Sequence, residues 1–108
     1  MQIQINSDHN IATPEGFAEY VRKVVDHALR HCQDQVTRIE VHFSDESAGK
    51  SGADDKRCVM EARLANRDPI AVSDQASTLN DVIDGAAEKL RHALVSILGK
   101  EHDHHPNK

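Results

Sequence analysis

Residues 36–44 read VTRIEVHFS. Ile39, Val41 and Phe43 fall on alternate positions, and Arg38, Glu40 and His42 lie between them. Side chains along a strand point to opposite faces in turn. This run therefore predicts a strand with one apolar and one charged face. A sheet of such strands needs a cover on one side only, and the rest of the chain is read for that sheet and its cover.

Residues 57–66 repeat the pattern, with Cys58, Met60, Ala62 and Leu64 inward and Arg57, Glu61 and Arg63 outward. Between the two runs, residues 45–56 (DESAGKSGADDK) are polar, carry two glycines and show no apolar period, which predicts a flexible hairpin loop. Residues 2–6, QIQIN, place Ile3 and Ile5 on one face of a first strand. Arg67-Asp68-Pro69 predicts a turn, and Ile70 and Val72 mark a short fourth strand.

Two helices supply the cover. Thr13 as cap, Pro14 at the first helical position and Glu15 at the positive end predict a helix to about residue 32. Its apolar face is Phe17, Val21, Val24, Ala28 and Cys32. Thr78 and Asp81 suit a capping box for a last helix through residues 79–94, LNDVIDGAAEKLRHAL, ending near Leu98 with Gly99 as its stop. The order is β-α-β-β-β-α. It predicts an α+β two-layer sandwich: a four-stranded mixed sheet with both helices on one face, parallel at the first crossover and antiparallel after it. One domain is expected over residues 1–100, followed by a flexible, His-rich tail over 101–108.

Composition excludes several classes of function. The chain has 108 residues, 38% of them hydrophobic, and no long apolar run, so a membrane span is excluded. The start MQIQINSDHN lacks the basic and apolar regions of a secretory signal. Cys32 and Cys58 are too few for a disulfide scaffold; both fall on apolar faces, as reduced core thiols of a cytoplasmic protein would. A formal charge of -5 argues against a protein that coats nucleic acid generically, and three aromatic residues argue against stacking of single-stranded bases.

Charge is nevertheless segregated on both helices. At about 100° per residue, Lys23, His27, Arg30 and His31 share one flank of the first helix, opposite Glu15, Glu19 and Asp26. On the last helix Lys89, His92, Ser96 and Lys100 share a flank, and Asp84, Glu88 and Arg91 lie towards the other. Where the two basic flanks meet, they form a local groove for phosphate. Where they do not, they are solvated faces stabilised by the helix dipole and by pairs one turn apart. The outward sheet residues mix signs, as cross-strand ion pairs on a wet face do.

No cofactor and no metal site are expected. His27 and His31 lie one turn apart without further ligands in sequence, and the dense histidines of the tail lack a fixed frame. There is no glycine-rich phosphate loop, no metalloprotease helix and no nucleophile elbow, so neither catalysis nor a small-molecule substrate is expected.

The start MQIQI, residues 16–29 (GFAEYVRKVVDHAL) and residues 78–94 (TLNDVIDGAAEKLRHAL) resemble the ribosome hibernation-promoting factor family, which includes the short ribosome-associated translation inhibitors. The likeness runs over about residues 1–100 and is strongest in VIDGAAEKL. It implies a fold like the double-stranded RNA-binding domain. It also implies a bacterial, cytoplasmic protein that binds rRNA of the small ribosomal subunit and occludes the sites of mRNA and tRNA. The chain resembles the short form, without the C-terminal dimerisation domain of long members. On this resemblance the candidate rRNA contacts are Lys23, His27, Arg30, His31, Lys89, His92 and Lys100. Ser96, Leu98 and the histidine-rich tail stand where relatives are basic. An interaction or dimerisation module of the same fold that has lost RNA binding is therefore the alternative. Weak self-association through an exposed edge strand is also open.

Overall fold

The computed structural model describes residues 1–8, 13–45 and 56–102, with side chains described as far as Leu98. The elements are β1 (Gln2–Ser7), α1 (Phe17–Ala28), a single 3-10 turn (Gln33–Gln35), β2 (Val36–Asp45), β3 (Lys56–Leu64), β4 (Arg67–Ala76) and α2 (Leu79–His102). The strands lie in the order β1-β2-β3-β4. β1 runs parallel to β2, while β2–β3 and β3–β4 are antiparallel, so the α+β sandwich with a mixed four-stranded sheet is the observed architecture.

Alternation dictates the register. Ile3 pairs with Ile39 and Ile5 with Val41; Val41 then pairs with Met60 and Phe43 with Cys58. One apolar face results, on which Ile39, Val41, Phe43, Cys58, Met60 and Ala62 are all fully buried. The helices close over it with Val21, Val25 and Leu29 from the first and Val82, Ile83, Ala86, Leu90 and Leu94 from the second. Phe17 reaches down to Phe43 with ring centroids 5.2 Å apart. Among the described residues no polar or charged side chain is buried, so apolar burial, worth about 1.5–3 kcal/mol for each large side chain, carries the fold.

Several local expectations are corrected. α1 begins at Phe17, not at Thr13: Gly16 is its N-cap in a left-handed conformation with φ 81°, and no side chain caps it. Thr13, Pro14 and Glu15 belong to the preceding turn, closed by Phe17 N–H donating to the Pro14 carbonyl at 3.1 Å. The fully buried stripe of α1 is Phe17, Val21, Val25 and then Leu29; Val24, Ala28 and Cys32 are only half-buried on an adjacent stripe. A period of 3.6 leaves two such stripes side by side, and the one facing the sheet is buried deeper.

The last reversal falls at Ala65-Asn66, where Asn66 adopts φ 63°, and β4 runs ten residues from Arg67. Pro69 is compatible with it because β4 is an edge strand, where a missing N–H costs no ladder bond. Thr78 does cap α2, its Oγ1 accepting from Asp81 N–H at 3.1 Å. The helix continues past Gly99 to His102, since an isolated glycine costs a helix only about 1 kcal/mol and does not by itself end it. Of the loop expected over 45–56, Asp45 and Lys56 belong to β2 and β3, and the remainder, like most of the expected tail (103–108), lies outside the described residues.

Candidate functional site

α1 and α2 lie side by side over the sheet with a cleft of about 600 Å³ between them. Lys23 and His27 of α1 line it, and so do Arg30 and His31 from the turn after Ala28, where the helix ends short of the expected residue 32. The basic flank read from the sequence is thus brought together on one wall. From α2 the lining residues are Asp84, Ala87, Glu88 and Arg91.

The opposite wall differs from the expectation. Lys89 does not join the cleft. Its ammonium group donates to the Ser73 carbonyl at 2.9 Å and pairs with Asp74 at 3.0 Å, which ties it to β4. Arg91, assigned to the other flank by the helical wheel, is the basic residue that α2 contributes. His92 stands at the outer rim, 66% exposed and 3.2 Å from Glu88. Lys100 lies in the helix backbone, and its side chain is outside the described residues.

Three cations, Lys23, Arg30 and Arg91, thus share the cleft with two carboxylates, Asp84 and Glu88, leaving one net positive charge before any histidine is protonated. The carboxylates are already engaged. The Tyr20 hydroxyl donates to Asp84 at 2.7 Å, fastening α1 to α2. This bond, with partial burial and the charges of Asp84 and Asp81 behind it, pushes the Tyr20 hydroxyl up to about 12. Arg91 Nε donates to Glu88 at 3.3 Å, and the guanidinium holds that carboxyl below the usual carboxylate range. Just after α1, Arg30 donates to the His27 carbonyl at 2.9 Å. Lys23 has no hydrogen-bond or ion-pair partner among the described residues.

Towards the helix ends a second, smaller pocket is lined by Ala28, Cys32, Leu94, Val95 and Leu98, with His31, Gln35 and Arg91 beside them. Leu98, where relatives were expected to be basic, is half-buried in this pocket. Cys32 is half-buried there, while Cys58 is fully buried. Burial, then the nearby charge of Asp74, pushes the Cys58 thiol up to about 12. Among the described residues no three His, Cys, Asp or Glu side chains are grouped to hold a metal ion, and no helix is long and apolar enough to cross a membrane.

These features define a class: a small two-layer α+β domain with a charged cleft between its two helices. The chain belongs to the family described as Sigma 54 modulation protein / S30EA ribosomal protein, whose profile matches residues 3–101, and so to the ribosome-associated modulation factors. Solved structures share the fold. A ribosomal subunit interface protein from Coxiella burnetii matches with a TM-score of 0.74 and 17% identity, over 92% of this chain and 99% of that one. The N-terminal domain of Protein Y from Thermus thermophilus matches with a TM-score of 0.70 and 23% identity, over 90% and 99%. A comparison with curated protein sequences finds no match.

Proposed function

We propose that this protein is a cytoplasmic hibernation or translation-inhibition factor that acts by occlusion, without chemistry of its own. Its interhelical cleft holds rRNA phosphates of the small ribosomal subunit, and the bulk of the domain covers the sites of mRNA and tRNA. The observation that carries this reading is the convergence of Lys23, Arg30 and Arg91 on one cleft in a chain whose net charge is -5. A polyanion contact requires positive charge gathered locally, and the cleft supplies it despite the opposite global balance. His27 and His31 line the same wall and add donors to it. Lys89 is spent on β4 and serves as the control.

Ribosome co-sedimentation across a salt series tests this. Lys23→Ala, Arg30→Ala and Arg91→Ala are each expected to weaken association and to lower the salt slope by about one unit. Lys89→Ala is expected to leave the slope unchanged. Equal losses from all four variants would reduce the cleft to diffuse electrostatics. No association of the parent protein at low salt would replace the ribosome reading by the interaction-module reading, which the acidic balance favours.

A further inference from the structure

The two edges of the sheet are built differently. β4 carries Arg67, Asp68 and Pro69 at its start and Asp74 on the face it shares with Cys58. Charges and proline of this kind discourage edge-to-edge pairing. β1 has none of them: QIQINS is uncharged and free of proline. It runs beside β2 through six consecutive pairs without a break in register. Among the described residues β2 is its one strand neighbour, so the other edge of its backbone is open.

The sequence of this open edge is self-complementary. Two copies of β1 paired antiparallel about Gln4 set Ile3 opposite Ile5, Gln2 opposite Asn6 and Gln4 opposite itself. Ile3 and Ile5 are half-buried towards the helix layer, whereas Gln2, Gln4 and Asn6 are exposed. Apolar side chains therefore meet on one face and amides on the other, and no like charges face each other.

We propose that the β1 edge is a docking surface for a second copy of this chain, through an isologous antiparallel pair that joins two sheets into one of eight strands. The two-fold axis closes the assembly at two copies. Its outer edges are then both β4, whose proline and charges stop further growth. A single six-residue strand pair buries less than the roughly 1,600 Å² of a standard stable interface, so the dimer is reversible and concentration-dependent.

Analytical ultracentrifugation of the full chain over a dilution series tests the proposal. The mass is expected to rise from 12.0 kDa towards twice that value with concentration. The double variant Gln2→Lys/Asn6→Lys places like charges opposite each other and is expected to stay monomeric. Gln2→Lys/Asn6→Glu places opposite charges there and is expected to recover the dimer. Within one strand the two positions are four residues, roughly 13 Å, apart, so that rescue must act between copies. A parent protein that stays at 12.0 kDa throughout would overturn the proposal. So would a dimer that survives the double lysine variant, or one that opposite charges fail to restore; circular dichroism checks that both variants are folded.

Discussion

At the scale of single residues, the two cysteines separate two environments that sequence periodicity treats alike. Both occupy apolar positions, yet Cys58 is fully buried between β2 and β4 and Cys32 is half-buried at the end of the cleft. Thiol-labelling of the native protein should therefore modify Cys32 well before Cys58, with the two rates converging in denaturant. Cys58 also has a pH signature. Its thiol is pushed from 9.0 to about 12, so the folded state holds the proton more tightly than the unfolded chain does. That contribution is complete below about pH 9 and is lost as pH rises towards 12. Tyr20, pushed up to about 12 as well, adds to the same alkaline loss. Cys58→Ala is expected to be less stable near neutrality because of the atoms removed, but to lose stability less steeply between pH 9 and 12; urea midpoints at stepped pH measure it. An unchanged alkaline slope would count against this burial as the cause.

At the scale of elements, α2 crosses β4 at a glycine, and the reason is steric. A Cβ built on Gly85 would lie 2.0 Å from an Asp74 carboxylate oxygen and 2.9 Å from its carbon. Asp74 in turn is held by Lys89, one turn further along the same helix. Glycine is a poor helix former, so replacement by alanine at an open site gains about 1 kcal/mol. Here the clash should reverse the sign: Gly85→Ala is expected to destabilise by about 1–3 kcal/mol, the usual cost of overpacking. Adding Asp74→Ala removes the obstacle and should return much of the loss, a coupling that a double-mutant cycle in urea detects. Additive effects would mean that the contact is not limiting. Elements were only partly legible beforehand for related reasons. Thr78 announced the start of α2 because a hydroxyl cap is a local interaction. Pro69 and Gly99 misled because punctuation acts within a context: β4 tolerates proline at an edge, and a helix passes through one glycine.

At the scale of the molecule, the layers are joined through a few large side chains. Phe17 and Phe43 bridge α1 to the centre of the sheet, with ring centroids 5.2 Å apart, and Phe43 is fully buried. Phe43→Ala is expected to cost about 3–5 kcal/mol. That is a large share of the 5–15 kcal/mol that stabilises a typical domain. Chemical denaturation checks it, and a loss under 1 kcal/mol would mean that the layers hold without this contact. The cleft shows the same dependence on assembly. Its first wall was partly readable because Lys23 and His27 follow one helical flank, a property of spacing alone, and Arg30 and His31 continue it from the turn after Ala28. The α2 wall was not, because the wheel orders residues around a helix without saying which side meets a neighbour.

What the sequence determined by itself is whatever depends on near neighbours in the chain. Alternation over residues 36–44 and 57–64 fixed the strands and their buried face, since a period of two leaves no choice of side once water is present. The charge order and Thr78 fixed α2, and the strand–helix order confined the fold to a sheet covered on one face. Only the tertiary structure decided the rest. The placement of α2 across β4 bound Lys89 to Ser73 and Asp74 and turned Arg91 into the cleft. The same placement brings Gly85 against the Asp74 carboxylate, and the strand order puts β1 rather than β2 at a sheet edge. Each of these is set by distances between residues far apart in sequence, which no local period encodes.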